Sequence, residues 1–214
     1  MFRGEIYMKQ IIATITLLLL PMTANAEGTA KDGTAKEQGW YAGIAGGSTD
    51  IETGVTAVSG ATLDETGTGI SFFIGKEINE KLSIEGFYAD LGEASLSGDN
   101  GDTFTLDGTA YQFNTTASIT VSAKSMGIAG KAKFDMGDSL QGYVKGGFHS
   151  WDADAKIAAG TASASTKTDG TDIVWGVGAE YKMGEKTSLL AGYDNFKLDD
   201  ETVTYLHAGI LFRF

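Results

Sequence analysis

Apolar and polar residues alternate with a period of two along most of the chain, from Gly39 to the C-terminus. This period is typical of β-strands, because successive side chains point to opposite faces of a strand. Stretches rich in glycine, aspartate and asparagine separate the alternating segments, as turns and loops do. The pattern predicts eight strands. They are residues 39–49, 68–78, 82–91, a strand that contains Met126 and ends at Phe134, 140–151, 173–183, 188–196 and 203–214.

The two faces of the predicted strands differ in a way that indicates a membrane protein. One face carries large apolar side chains, and the other carries glycines together with charged residues. Charges would be costly inside a soluble barrel, but they suit the polar lumen of an outer-membrane barrel. We therefore predict that the apolar face contacts lipid and that the charged face lines the lumen. The charged lumenal residues are Glu85, Lys131, Lys145, Glu180 and Arg213.

The connections between the predicted strands alternate in length. Residues 79–81, 135–139 and 184–187 form short connections, and the others are much longer. Short periplasmic turns and long extracellular loops are the pattern of outer-membrane barrels. The sequence thus predicts an all-β, eight-stranded, antiparallel up-and-down transmembrane β-barrel, whose own side chains fill its lumen. Aromatic residues suited to the interfacial girdles of such a barrel lie near strand ends, at Trp40, Phe134 and Tyr181.

The N-terminal segment has the features of a secretory signal peptide. Lys9 provides a positive start, an apolar run follows, and Ala24-Asn25-Ala26 forms a small-x-small cleavage site. The apolar run is too short for a transmembrane helix. The alternative is a buried N-terminal helix. We predict a signal peptide over residues 1–26, with a start at Met1 or Met8, a flexible periplasmic lead-in over 27–38, and a barrel over 39–214.

Composition narrows the chemistry that the chain can perform. It has no cysteine, which excludes disulfides, thiolate metal sites and a lipid-anchored N-terminal cysteine. Its formal net charge of −12 argues against binding to nucleic acid. The acidic segment from Asp99 to Asp102 lacks a full calcium-loop pattern. We predict no cofactor and no specific metal site, and leave open loose Mg²⁺ or Ca²⁺ bridges from acidic loops to lipopolysaccharide phosphates.

Several blocks of the sequence resemble the transmembrane domain of outer-membrane protein A and related small porin-like barrels. They are WYAGIAGG, IEGFYADLG, GKAKFDMGDSLQGYVKGGFHSW, GVGAEYKMGEKTSLLAGYDNF and HAGILFRF, and the resemblance covers residues 39–214. It implies an integral barrel in a Gram-negative outer membrane, with no peptidoglycan-binding domain expected. It also implies insertion by the outer-membrane assembly machinery, which reads a last strand that ends in an aromatic residue. The matching residues are Leu206, Ala208, Ile210, Phe212 and Phe214.

The same resemblance places the charged lumenal residues where the family has an interior salt-bridge network. Four of them lie on consecutive strands, and we expect pairs such as Glu85–Lys131. The family's arginine on the seventh strand is replaced by Leu190, so Arg213 or Lys145 would have to take its place. The network is either a structural plug that holds the shape of the barrel or a switchable gate for ions, and we favour the plug.

Two histidines, His149 and His207, are predicted to face the lumen. Some outer-membrane barrels modify lipid A with a Ser/His/acid arrangement, and Ser150 follows His149 directly. Neighbouring residues of a strand point to opposite faces, so these two side chains cannot form the hydrogen bond that this chemistry requires. We therefore predict no enzymatic activity.

The long connection over residues 93–123 is the most distinctive segment. Asp99-Asn100-Gly101 predicts a tight turn, and apolar residues such as Phe104 and Tyr111 predict a projecting hairpin. An exposed sheet edge can pair with a strand of another protein. The segment would then serve either surface shielding or adhesion to a host or matrix surface.

These observations lead to one functional prediction with two alternatives. We predict a monomeric protein with a structural and surface-interaction role, in contact with outer-membrane lipid and lipopolysaccharide. The alternatives are a narrow ion-conducting pore and a loop-mediated adhesin.

Overall fold

The computed structural model describes residues 39–214, which form twelve β-strands. Within this part of the chain, no helix is long and apolar enough to cross a membrane. The predicted signal peptide and lead-in lie outside the described residues and stay predictions. The strands are β1 (Trp40–Ile51), β2 (Val55–Ser59), β3 (Thr62–Asp64), β4 (Thr66–Glu77), β5 (Leu82–Gly98), β6 (Thr103–Leu106), β7 (Thr109–Gln112), β8 (Ala117–Asp135), β9 (Leu140–Ala159), β10 (Ala162–Lys182), β11 (Thr187–Leu198) and β12 (Glu201–Arg213).

Eight of these strands close into one antiparallel barrel. They follow one another around the barrel in chain order: β1, β4, β5, β8, β9, β10, β11 and β12. β12 then pairs with β1, from Arg213 opposite Tyr41 to Val203 opposite Ile51. Closure lets neighbouring strands satisfy the backbone groups of the wall, which lipid cannot do. The predicted eight-stranded, antiparallel up-and-down barrel is confirmed.

The barrel strands match the predicted ones near the short turns, but several extend farther at the loop end. β5 was predicted to end at Leu91 and continues to Gly98, and β10 was predicted to begin at Ile173 and begins at Ala162. β8 and β9 are extended in the same way. The predicted bounds were wrong here because they followed the large apolar residues. Backbone pairing continues through small polar residues, since a ladder of hydrogen bonds does not require apolar side chains.

The polarity of the two strand faces reverses along the extended strands. Near the turns Ile84 of β5 points outward and is 47% exposed, whereas Glu85 is buried inside the barrel. Farther along the same strand, Asp90 is partly exposed and Leu91 is fully buried. A strand in water exposes polar residues and buries apolar ones, and the wall of a membrane barrel does the reverse. The reversal therefore indicates where the strands pass from lipid into water.

The parts of the strands beyond this reversal continue the sheet of the barrel wall and protrude from it. β5 pairs with β8 as far as Gly98 opposite Ala117, and β9 pairs with β10 as far as Ala159 opposite Ala162. β11 pairs with β10 only from Val174 onward. Within the described chain, residues 162–173 of β10 thus have a strand neighbour on one side only. We call this segment the open edge. The protruding sheet comprises β3 and residues 91–98, 117–124, 151–159 and 162–173.

A second sheet, of three strands, forms from two of the long loops. β2 comes from the first loop and pairs with β6, which forms a hairpin with β7. Asp107 and Gly108 at the tip have φ angles of 48° and 78°, the two positive values that a type I′ turn requires. A turn also lies at the predicted position, where Asp102 N donates to Asp99 O at 3.0 Å, but it joins β5 to β6. The hairpin itself reverses at the Asp-Gly pair, which the prediction missed.

Candidate functional site in the barrel interior

The inner face of the barrel holds the candidate site, and glycines on that face make room for its larger side chains. Gly176 of β10 lies opposite Asp194 of β11, and a Cβ atom on this glycine would overlap the carboxylate. Gly192 lies opposite His207, and a Cβ atom there would come within 3.0 Å of the imidazole Nε2. The many inward glycines are therefore the condition for a lumen filled with polar side chains.

The first group of interior ion pairs is centred on Glu180. Lys131 Nζ lies 2.5 Å from Oε1 of this carboxylate, and Arg213 Nη2 lies 2.8 Å from Oε2. Lys131 is also 3.7 Å from Glu85, the pair that the sequence predicted. These lysine and glutamate side chains are at most 3% exposed. Leu190 lies opposite Glu180 and carries no charge, so Arg213 supplies the positive charge next to this carboxylate. Leu190 packs instead with Tyr41 and Leu211.

A second group lies next to the first and continues from Glu85. Lys145 Nζ is 3.8 Å from this carboxylate and 2.8 Å from Asp194 Oδ2. His207 Nε2 lies 3.2 Å from the same oxygen. His207 was predicted to face the lumen, but neither Asp194 nor His207 was assigned to the network.

A third group closes the interior next to the short turns. Glu77 Oε1 lies 2.6 Å from Lys133 Nζ and 3.4 Å from Arg213 Nε. All five predicted lumenal residues thus belong to one continuous network, together with four that were not assigned to it. Inward parity alone would have found the four. The ionic layer comprises Glu77, Glu85, Lys131, Lys133, Lys145, Glu180, Asp194, His207 and Arg213.

Neutral side chains add hydrogen bonds to the ionic layer. The Tyr41 hydroxyl lies 3.1 Å from both Glu85 Oε2 and Ser83 Oγ. Arg213 Nη1 donates to Ser188 Oγ at 2.7 Å. The Lys131 ammonium also lies 4.1 Å from the centre of the Tyr143 ring, which provides a cation–π contact. Removing one charge from such a buried set leaves its partner unpaired, at a cost of about 3–5 kcal/mol.

The half of the interior nearest the loops is filled by apolar side chains instead. Trp151, Phe196 and Leu91 are at most 4% exposed and belong to one packed cluster. The Trp151 indole donates to Asp172 Oδ2 at 3.0 Å, so its single polar atom has a partner. The lumen was predicted to be polar, so this cluster departs from the prediction. The apolar layer comprises Ile51, Ala89, Leu91, Ala94, Ala123, Trp151, Val174, Phe196, Leu198, Val203 and Tyr205.

His149 lies within the same half and joins three strands. Its Nδ1 is 2.8 Å from Ser125 Oγ, and its Nε2 is 3.0 Å from the backbone carbonyl of Lys197. A carbonyl only accepts, so Nε2 carries a proton and donates to it. Ser150 points the other way and donates to Gly170 O at 3.3 Å. The histidine therefore pairs with a serine, but not with the one adjacent in the chain.

The loop end of the barrel is strongly acidic. Glu201 at the start of β12 is partly buried near Glu52, Asp107 and Asp200, and burial followed by these like charges raises the pKa of its carboxyl. Thr53 donates its N–H and its hydroxyl to Glu65 at 3.1 and 2.6 Å. Among residues 39–214, no group of histidine and acidic side chains is arranged to hold a metal ion.

The predicted assembly stripe lies on the outer face of β12 and just beyond it. Phe214 and Trp40 exchange backbone hydrogen bonds of 2.9 and 3.1 Å at the barrel seam. Leu206, Phe212 and Phe214 are 65%, 50% and 68% exposed on the outside. The girdle residues Trp40, Phe134 and Tyr181 also point outward, next to the short turns. Recognition of this stripe by an assembly machinery stays a prediction.

Comparison with known proteins identifies the family of the barrel. The model of the outer membrane protein beta-barrel domain matches residues 12–214. The chain belongs to this family. The predicted family and the predicted location, integral to a Gram-negative outer membrane, are both confirmed. No curated protein sequence matches the chain significantly.

Solved outer-membrane structures share the fold of this family member at low identity. Ail, the attachment invasion locus protein of Yersinia pestis, is 17% identical over 84% of this chain and 100% of its own, with a TM-score of 0.55. Ail in complex with the heparin analogue sucrose octasulfate is 18% identical over 83% and 99%, with a TM-score of 0.51. Neisserial surface protein A is 16% identical over 82% and 97%, with a TM-score of 0.50. At these identities the likeness shows the fold alone.

Proposed function

We propose that the protein is a monomeric structural barrel that presents its protruding sheet to other molecules at the cell surface. The observation that carries the proposal is the open edge, where pairing with β11 stops at Val174 while pairing with β9 continues to Ala162. An unpaired edge offers backbone N–H and C=O groups to an added strand. The proposal assigns the barrel no enzymatic activity.

The side chains of the open edge suit recognition through the backbone. Most of them are small or hydroxylated, so little bulk stands beside the unpaired groups. Lys167 is 79% exposed and lies 3.1 Å from Asp154 on the neighbouring strand. An edge lysine discourages pairing between identical strands, which fits a protein that remains a monomer. An added strand would come from a different protein.

The acidic loops favour some partners over others. The pKa of Glu201 is raised by surrounding carboxylates, which reflects the negative potential at the loop end. Ail, which shares the fold, has been solved with a polyanion, the heparin analogue sucrose octasulfate. The loop end of this chain would repel such a ligand. We therefore propose that its partners are extended segments of proteins, with divalent cations bridging the acidic loops to lipopolysaccharide.

A narrow ion pore is the second candidate, and one observation favours it. Lys131 and Lys145 each lie within 4 Å of two carboxylates, so their ion pairs have alternative arrangements. The apolar layer argues against conduction, because an ion moving along the barrel axis would have to pass through it as well as through the ionic layer. Rearranged ion pairs alone would then leave the path blocked. Single-channel recording of the purified protein in planar bilayers should show no reproducible conductance, and a reproducible conductance would contradict the sealed barrel.

Two variants, Ser165→Pro and Thr166→Pro, test binding through the open edge, and each serves as the control of the other. Ser165 and Thr166 are adjacent residues of β10, opposite Lys156 and Ala155 of β9. Successive N–H groups of a strand point to opposite edges, so one proline removes a group from the open edge and the other removes a ladder bond to β9. Hydrogen exchange in β9 will show which variant keeps the ladder intact.

The binding assay uses whole cultured epithelial cells and immobilised basement-membrane extract. We expect the variant with the intact ladder to lose binding although its barrel stays folded and heat-modifiable on SDS gels. Deletion of the β6–β7 hairpin, residues 103–112, should leave binding in place. If the hairpin deletion abolishes binding and both proline variants retain it, the second sheet is the adhesive surface and the open edge is not.

A further inference from the structure

A small cavity lies at the boundary between the ionic and apolar layers. It has a volume of about 20 Å³. Its walls include Glu85, Lys145, Asp194 and His207 from the ionic layer, and Ala89 and Phe196 from the apolar layer. A cavity needs roughly 10–15 Å³ to hold one water molecule, so this one has room for a ligand of that size and for nothing as large as a sugar or an acyl chain.

Two buried side chains of the cavity wall have unsatisfied polar atoms. Asp194 Oδ1 and both ring nitrogens of His207 have no hydrogen-bond partner within residues 39–214, although these residues are only 3% and 6% exposed. His207 Nε2 lies 3.2 Å from Asp194 Oδ2. Leaving such atoms unpaired is costly in a buried site.

We propose that the cavity binds one ordered water molecule that bridges Asp194 Oδ1 and the His207 ring. Water donates to the carboxylate oxygen, and it can donate to or accept from an imidazole nitrogen. The Ser71 and Tyr143 side chains also line the cavity and provide further hydroxyl groups. A buried water commonly makes about three hydrogen bonds, and this wall supplies that number.

The charge balance of the ionic layer selects water over an ion. Its four carboxylates, Glu77, Glu85, Glu180 and Asp194, are matched by four cations, Lys131, Lys133, Lys145 and Arg213. A bound chloride or sodium ion would add a net charge to a site shielded from solvent, which is costly. A water molecule adds none. The water thus supplies hydrogen bonds to Asp194 and His207 without disturbing the ion pairs.

Crystals of the refolded protein test the identity of the ligand. We expect a single density peak within hydrogen-bond distance of Asp194 Oδ1 and the His207 ring. Parallel crystals grown with sodium bromide and with rubidium chloride should show no anomalous signal in the cavity. A bromide or rubidium peak there would identify an ion site and overturn the proposal, and so would the absence of any density in the cavity.

Variants on one strand test the bridging role of His207. His207→Phe keeps a ring but removes its polar atoms, and the density peak should be lost. Tyr205→Phe is the matched control, because it keeps the ring that lies 4.8 Å from the His207 ring and removes only a hydroxyl that bonds Ala45 O and Gly69 O. Tyr205 does not line the cavity. Its crystals should keep the peak. If His207→Phe fails to fold, Ser71→Val narrows the cavity without a change in charge and should also remove the peak. A peak that persists in the folded His207→Phe variant, or otherwise in Ser71→Val, would contradict the proposal.

Discussion

The half of the interior nearest the turns is built from matched charges, and the half nearest the loops is built from apolar side chains. On β9 the inward residue is Lys145 in the first half and Trp151 in the second. The two halves differ because lipid surrounds the barrel wall in one of them and water in the other. Where lipid covers the outside, apolar residues are placed there and the interior receives the polar ones. Where water covers the outside, the same strands bury their apolar residues as a soluble barrel does.

The two layers therefore stabilise the barrel by different physical means, and they should respond differently to substitution. The ionic layer depends on every charge having its partner, since an unpaired charge cannot reach solvent. The apolar layer depends on the volume it fills, and its neighbours can relax partly around a loss. Variants in each layer can test this distinction.

The largest effect is expected from Glu180→Ala in the ionic layer. It leaves Lys131 and Arg213 without the carboxylate that lies 2.5 and 2.8 Å from them. We expect a loss of about 3–5 kcal/mol in the free energy of unfolding, measured by urea titration in lipid vesicles. Glu185→Gln, in a short turn, is the control and should change stability little. If both substitutions lower the free energy of unfolding equally, the buried network contributes no more to stability than a surface charge does.

A smaller loss is expected from Leu91→Ala in the apolar layer. Leu91 is fully buried, but it lies near the loop end, where neighbouring strands can close part of the cavity. We expect a loss of about 2–3 kcal/mol in the same titration, toward the lower end of the range for buried leucines. Leu106→Ala, at a residue 38% exposed on the second sheet, is the control. A loss well above that of Glu180→Ala would reverse the order of the two layers.

Replacement of a whole ion pair should cost far less than the loss of one charge. The double variant Lys145→Met with Asp194→Leu removes both partners of the 2.8 Å pair and keeps apolar volume. We expect a change within about 1 kcal/mol of zero, because no buried charge is left unpaired. Each single substitution should destabilise by more than the double one. If the loss of stability in the double variant equals the sum of the losses in the two single variants, charge pairing does not govern this layer.

The smallest effect is expected from Glu201→Gln at the acidic loop end. The pKa of this carboxyl is raised by burial and by neighbouring acids, so its ionised form destabilises the fold at neutral pH. The penalty fades as the pH falls through the raised pKa, because the folded state takes up the proton first. The variant should be slightly more stable at pH 7, with the difference vanishing near about pH 4.

Much of the barrel follows from residue patterns that act locally. Alternation along each strand gave the correct face for Glu85, Lys131, Lys145, Glu180 and Arg213 because successive side chains must point to opposite sides. Turn-forming residues likewise predicted a turn at Asp99-Asn100-Gly101, and a turn lies there, although it joins β5 to β6. The hairpin tip at Asp107-Gly108 also has a local signature and could have been found. The partnership of β2 with β6 could not, since it joins segments from two loops.

By itself, the sequence determined the turn-side parts of the eight barrel strands, their outward apolar faces and the charges that point inward, because these depend on neighbours along the chain. Only the tertiary structure decided which charges meet. Arg213 reaches Glu180 across β11, and His207 meets Asp194, through the register of whole strands around a closed ring. The same closure brings Leu91, Trp151 and Phe196 together into the apolar layer and leaves residues 162–173 as an open edge. Register and closure join residues far apart in sequence, so no local pattern encodes them.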